Sequence, residues 1–311
     1  MTFELSSDLG FTGDSIRGRL AMVNRWLEDE PDWQTLADSG STNQLFRGRS
    51  RGRNLVLRLN ATERYAFGVD RCREATVLAL ISVYDWAPQL LYNDWQQGWC
   101  LMEDHGHACV NSGLTVSVEP LAALLEAIGQ WQQLNVERTE LSICRLDYSV
   151  LSDRYRSAFG STPDRVWMQM LHRFDEIYRS LAVVPECLTH HDLHPGNLCG
   201  ENLCSEALAQ IESDSRWRVL DWEYAAVANP WFDAAALHRK FGVEKELIAG
   251  LPAFLQLSRA QFERCLDNAC WLSEALECLW YAVRSPVEGA VQHRQTAQKL
   301  LLIPLSSGVG R

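Results

Sequence analysis

His190, Asp192 and Asn197 fall within one short segment, Leu188-Thr-His-His-Asp-Leu-His-Pro-Gly-Asn-Leu198, and Asp221 follows 24 residues after Asn197 in Val219-Leu-Asp-Trp-Glu223. These residue types in this order offer a base and a set of hard oxygen ligands. That combination suits phosphoryl transfer from a nucleotide. A γ-phosphoryl group in flight spreads negative charge over its oxygens, so a protein mainly positions the partners and holds magnesium against that charge. Magnesium takes a few hard oxygens and keeps waters, which fits the Asn197 amide and the Asp221 carboxylate. Asp192, five residues before Asn197, shares its tight loop and is placed to orient an acceptor hydroxyl and take its proton.

The spacing matches the catalytic-loop register H-R-D-L-x-x-x-N of protein kinases, with Asp221 in the position of the later metal-binding Asp. Pro195-Gly196 is a turn signal in its own right, and a polar turn alone would explain the first segment. Two motifs in the right order, beside short strands expected at 198–199 and 217–220, argue for chemistry instead.

The elements that must position these groups are legible upstream. An amphipathic helix is expected over 14–30, ended by Pro31, followed by strands over 33–37, 43–48 and 54–60. The linker 38–43 is small and hydrogen-bonding, as a loop whose N–H groups approach phosphates would be, and Ser41, Thr42 and Asn43 are its candidate contacts. A plain hairpin fits that linker equally well. Leu55-Val-Leu-Arg-Leu59 alternates, so Arg58 shares its face with Val56 and stands where kinases place a phosphate-binding cation. A helix begins at Arg71, and Glu74 is placed to pair with Arg58 as the β3 cation pairs with the αC glutamate. An Arg in this role binds through a planar fork and keeps its charge.

Trp99 to Glu103 reads as another strand running into a hinge at Asp104-His-Gly-His107, and backbone groups around Met102 and Glu103 are offered to an adenine ring. Helices are then expected over 120–134, 164–181 and 258–284, with a polar loop at 201–216 and a further helix led by Pro230-Trp-Phe-Asp233. The fold expected is α+β and bilobal: a small antiparallel-sheet lobe, residues 1–102, that binds nucleotide, and a larger mainly helical lobe, 103–311, for catalysis and substrate.

A net charge of −11 argues against a nucleic-acid partner, which needs clustered positive charge. Without an apolar run of membrane-spanning length or an export signal, a soluble cytoplasmic protein is the default. Its ten cysteines are then expected as thiols, with Cys109, Cys144, Cys187, Cys265, Cys270 and Cys278 in mostly apolar surroundings. A zinc site from His190, His191, His194, Cys199 and Cys204 is disfavoured, because no Cys-x-x-Cys pair is present. Oligomeric state is open at this stage.

The chain resembles the aminoglycoside phosphotransferase and choline kinase superfamily, most closely its choline kinase and thiamine kinase-like branch. The resemblance covers roughly residues 14–285 and rests on His190-x-Asp192 with Asn197, on Asp221-Trp222-Glu223 and on Pro230 with Asp233. It implies a protein-kinase-like fold that uses ATP and Mg2+ to phosphorylate a small-molecule hydroxyl. It further implies Asp192 as catalytic base, His190 as a brace of its loop, and Asn197 and Asp221 as metal ligands. Glu223 would lie near the metal or nucleotide, Asp233 would be a buried brace, and Arg58 with Glu74 would form the nucleotide-side pair. Two departures stand out: the 38–43 loop has a single glycine, Gly40, and the gap to Asp221 is long.

Twelve tryptophans are unusual, and Trp222, Trp231, Trp271, Trp280 and Tyr281 fall where an acceptor site would be flanked. Aromatic faces bind organic cations, so a choline- or thiamine-like alcohol is favoured over an aminoglycoside or sugar, although any single Trp is more commonly a core residue. A non-catalytic nucleotide-binding module is the rival of another class, and Asp192, Asn197 and Asp221 together speak against it. A protein kinase is disfavoured by the short connection from Asp221 to Asp233, which lacks A-P-E.

Overall fold

The computed structural model describes residues 13–36, 43–62, 65–106, 118–137, 139–160, 164–200, 217–284 and 289–303. Ser41, Thr42, His107, Cys109, Cys204 and the 201–216 loop lie outside the described residues. The chain divides into two compact units. The first lies within Met1–His107, Cys199–Asn202 and Ala209–Glu223, and the second within Ala108–Leu198, Leu203–Leu208 and Tyr224–Arg311.

The first unit opens with helix α1 (Gly13–Leu27), then strands β1 (Gln34–Thr35), β2 (Asn43–Ser50) and β3 (Arg53–Asn60), helix α2 (Arg71–Ile81), and strands β4 (Leu90–Asp94) and β5 (Trp99–Glu103). The strands form a five-stranded antiparallel sheet in the order β1-β2-β3-β5-β4. Residues 49, 50 and 53, which fall between the strands expected over 43–48 and 54–60, are themselves strand. Ser50 pairs with Arg53, leaving a two-residue turn in which Arg51 and Gly52 have φ of 48° and 83°. A two-residue hairpin that follows the twist of its strands needs positive φ at its centre, and Gly52 supplies it without a Cβ clash.

Alternation along β3 buries Leu55, Leu57 and Leu59 on one face, against Ile16, Leu20 and Val23 of α1 and against Trp33, Phe46, Trp99 and Leu101. The 4 and 3 spacing of the α1 residues is one helical face. Full burial of each such aliphatic side chain contributes about 1.5–3 kcal/mol. Gly48 on β2 lets the Trp33 indole lie against the sheet, since a Cβ there would meet the ring at 2.6 Å.

The second unit carries helices α3 (Val118–Gln132), α4 (Thr139–Ser142), α5 (Tyr148–Ala158) and α6 (Arg165–Ser180), then strand β6 (Cys187–Thr189). The chain next passes through β7 (Leu198–Gly200) and β8 (Trp217–Val219), which pair as a separate two-stranded sheet, before β9 (Ala226–Ala228) pairs antiparallel with β6. Helices α7 (Trp231–Phe241), α8 (Lys245–Ala249), α9 (Arg259–Arg284) and α10 (Gly289–Leu302) complete the second unit. Asp164 and Asp147 cap α6 and α5 by accepting the N–H groups of Val166 and Ser149.

One division differs from the sequence expectation. Residues 217–223, assigned above to the C-terminal lobe, pack with the first unit: the Val219 N–H donates to the Trp86 carbonyl at 2.8 Å and the Trp222 ring lies 5.6 Å from that of Trp86. Long-range contacts of this kind override position along the chain.

Candidate active site

In the second unit, β6 delivers His190 to the start of a loop that ends in a 3-10 turn at Pro195–Asn197. Asp233, on the first turn of α7, accepts the backbone N–H groups of His190 at 2.9 Å and of His191 at 3.0 Å. The buried His190 ring accepts the Asp192 N–H through Nδ1 at 3.2 Å. Asn197 Nδ2 donates to the Asp192 carbonyl at 2.8 Å and lies 3.4 Å from its carboxylate. His191 holds a φ of 68°, a left-handed conformation that costs energy for a non-glycine residue and is tolerated only where surroundings over-determine it. Here the surroundings are Asp233, Tyr148, whose hydroxyl bonds His191 Nε2, and Phe232.

This bracing leaves Asp192 with its side chain 41% exposed on an otherwise fixed loop. The Asn197 amide is oriented by the donation of its nitrogen to Asp192, which leaves its oxygen as the end suited to a cation. Burial pushes the Asp233 carboxyl up to about 7, against the pull of the two backbone N–H groups and Trp131.

The first unit carries a charged cluster built on β2, β3, α2 and the Asp221–Glu223 turn. Arg58 reaches Glu74 at 2.6 Å, Asp221 at 3.5 Å and the Asn60 amide oxygen at 3.0 Å. Arg71 reaches Glu74 at 2.8 Å, Glu223 at 2.9 Å and the Asn43 amide oxygen at 2.9 Å. Asn43 Nδ2 in turn donates to Glu223 at 2.8 Å. Asp70 caps α2 and fixes its first turn, so Arg71 and Glu74 emerge side by side at a spacing of three. The two guanidinium groups hold the Glu74 carboxyl below its usual range despite burial, and its carboxylate keeps the Arg58 guanidinium charged despite burial.

Several sequence-expected residues take positions other than those assigned. Glu223 is 1% exposed and turned onto Arg71 and Asn43, and Asn43 is a buried partner of that pair rather than an open loop residue. Trp222, Trp231 and Trp271 are buried and offer no face to a ligand: Trp222 donates to the Val219 carbonyl, Trp231 packs on Phe254 and Phe262, and Trp271 donates to the Leu300 carbonyl. A large aromatic ring gains most by full burial, and the core took these three. Trp280 is partly buried with its N–H on the Tyr224 hydroxyl and Arg284 4.2 Å over its ring; Tyr281 stacks on His293 at 4.0 Å.

In the segment expected to meet an adenine ring, Met102 lies in β5 opposite Val56, while the Glu103 and Asp104 N–H groups already donate to the carbonyls of Gln89 and Asn54. The sequence assigns no site role to Asn60, Tyr148, Trp131 or His293, and gives Arg71 only as a helix start; of these, only Arg71, three residues before Glu74, carries a readable signal. Asp221 carries a φ of 59° and a side chain 30% exposed. Among the described residues no three His, Cys, Asp or Glu side chains are gathered as a metal site, and Cys199 Sγ instead meets the Gly106 carbonyl. The described cysteines are free thiols, buried at Cys144, Cys187, Cys265 and Cys278 and partly buried at Cys270. No described helix is long and apolar enough to cross a membrane.

The same arrangement of elements occurs in solved structures. A choline/ethanolamine kinase family protein from Mesorhizobium loti matches with a TM-score of 0.63 at 17% identity, covering 94% of this chain and 95% of that one. The choline kinase LicA from Streptococcus pneumoniae matches with a TM-score of 0.66 at 15% identity, covering 93% and 99%. A GDP complex of a point mutant of the aminoglycoside 2'-phosphotransferase IIIa matches with a TM-score of 0.64 at 16% identity, covering 92% and 95%. At such identities the likeness is one of fold. No curated protein matches at the level of sequence. The model of the phosphotransferase enzyme family, however, matches residues 33–265 and so spans both motifs and the charged cluster. The chain belongs to the phosphotransferase enzyme family.

Proposed function

We propose that the protein transfers the γ-phosphoryl group of ATP to the hydroxyl of a small cationic metabolite, an alcohol of the choline or thiamine kind. The observation that carries this reading is the loop geometry around Asp192, a partly exposed carboxylate on a backbone fixed by Asp233, His190 and Asn197. Asp192 is the base. It orients the acceptor hydroxyl and takes its proton as the oxygen bonds to phosphorus and the bond to the nucleotide breaks.

Arg58 is the proposed nucleotide-side cation, held on Glu74 in a fixed orientation. The Asn197 amide oxygen and the Asp221 carboxylate are the proposed magnesium ligands, and both are hard oxygens of the type the ion prefers. Bound magnesium would neutralise charge on the phosphate oxygens.

The cationic acceptor is supported by the surroundings of Tyr281. Its phenol is pushed up by burial first, and then by the negative charges of Glu277 and Asp192, with Arg284 opposing. A cation seated beside Asp192 and the Tyr281 ring would meet a negative field and an aromatic edge. ADP release across a panel of choline, ethanolamine, thiamine and amino sugars, with Asp192→Asn alongside, tests the reading. Turnover of choline or thiamine, lost in the variant, is the expected result; turnover confined to amino sugars overturns the acceptor class, and turnover retained by Asp192→Asn overturns the mechanism.

A further inference from the structure

The Arg71 network has a consequence for metal binding that rests on the kinase reading above. Three carboxylates, Glu74, Asp221 and Glu223, share two guanidinium groups, Arg58 and Arg71, so acids outnumber bases by one within this set. Glu74 and Glu223 are nearly fully enclosed, at 2% and 1% side-chain exposure, whereas Asp221 is 30% exposed. A buried carboxylate has to be matched by charge and hydrogen bonds where it lies. Glu223 is so matched: one oxygen takes Arg71 Nη1 at 2.9 Å and Asn43 Nδ2 at 2.8 Å. A divalent ion arriving at that oxygen would have to displace a guanidinium that is also committed to Glu74 and to the Asn43 amide oxygen. It would leave the partly buried Arg71 beside a second cation.

We propose that Arg71 is a built-in cation on Glu223, standing where a divalent ion would otherwise be held, so that the cation demand of this cluster falls on Asp221 and Glu223 is a positioning residue rather than a metal ligand. An Arg suits this role because its planar fork satisfies Glu74, Glu223 and Asn43 together and never loses its proton. Glu223 thereby fixes the turn that carries Asp221, two residues before it.

The experiment counts Mn2+ ions bound to the full-length protein by electron paramagnetic resonance, with a non-hydrolysable ATP analogue present. Three proteins are compared: wild type, Glu223→Gln and Arg71→Met. Gln keeps an oxygen for Arg71 and for Asn43 Nδ2 but removes the charge a metal needs. The expected count for Glu223→Gln equals the wild-type count. Arg71→Met releases the Glu223 carboxylate and is expected to gain one Mn2+. Loss of an ion from Glu223→Gln overturns the proposal while leaving the kinase reading intact. A folded Arg71→Met protein with the wild-type count also overturns it. If Arg71→Met does not fold, the Glu223→Gln comparison decides. Absence of any nucleotide-dependent Mn2+ in the wild type overturns the kinase reading and this inference together.

Discussion

The Asp233 carboxylate accepts the backbone N–H of His190 at 2.9 Å across 43 residues of sequence, and with its other oxygen it accepts the N–H of His191. A side chain from the first turn of α7 therefore fixes the entry to the loop that presents Asp192. The acid is wholly enclosed, and its carboxyl is pushed up to about 7.

That shift makes a pH prediction with a defined sign. In the unfolded chain Asp233 loses its proton near the usual value of 3.8; in the fold it keeps the proton to about 7. Between these values the folded state binds more protons, so the contribution is fully present below about pH 4 and is lost as pH rises toward 7. Thermal melts of wild type and Asp233→Asn across pH 4–8 should differ by this decline, present in the wild type and absent in the variant. At pH 8 the wild type holds an ionised carboxylate in a buried place and the variant a neutral amide, so the difference between them should have moved in the variant's favour relative to pH 4.

Asp192→Asn should lower kcat by roughly 10²–10⁴-fold, the usual contribution of a positioned general base. Its melting temperature should match the wild type, since the carboxylate is partly exposed, its contact with Asn197 Nδ2 is long at 3.4 Å, and the shorter bonds that fix the loop run through the backbone of Asp192. Steady-state ADP release and a thermal melt on the same preparation separate the two effects. A variant that keeps kcat would remove Asp192 from the chemistry.

The sequence was most informative where structure is local. The period of two in Leu55, Leu57 and Leu59 and the helix start at Arg71 point to the pairing of Arg58 with Glu74, and both signals lie within a few neighbouring residues. The motif around Asp192 was readable for the same reason. What went unread depends on distant contacts. Strands β6 and β9 are three residues each and pair Cys187 with Ala228, too short for alternation to register. Residues 217–223 join the first unit through Trp86 and Arg58, which no local pattern announces. Residue type does not separate a core tryptophan from a binding one, and the pairing of Glu223 with Arg71 spans 152 residues, beyond the reach of any local pattern.

Glu74 ties both arginines of the cluster to α2, so its removal should be costly. Glu74→Ala leaves the buried Arg58 and the partly buried Arg71 with one carboxylate fewer, and breaking a buried pair such as Arg58 with Glu74 from one side costs about 3–5 kcal/mol. Urea denaturation should show that loss. The double variant Arg58→Met/Glu74→Leu should recover part of it, because apolar groups of similar volume need no partner. A double variant as unstable as the sum of its singles would mean that the pair contributes nothing as a unit.

Trp231 and Trp280 provide a contrast between core and site. Trp231 is fully buried beneath Phe254 and Phe262, so Trp231→Ala should lose about 3–5 kcal/mol of stability through the cavity it leaves. Trp280 is partly buried, donates to the Tyr224 hydroxyl, and adjoins Tyr281, whose phenol senses Asp192. Trp280→Ala should cost less in stability and more in acceptor binding, with KM for a cationic alcohol rising roughly tenfold, about 1.4 kcal/mol, and KM for ATP unchanged. The discriminating control is Arg284→Ala, which removes the guanidinium lying over Trp280 but keeps the ring. If a cationic acceptor approaches this wall, loss of the like charge should lower its KM, opposite in sign to Trp280→Ala. A rise in KM in both variants would mean that Arg284 and Trp280 act as one scaffold and that the acceptor carries no cation at this position.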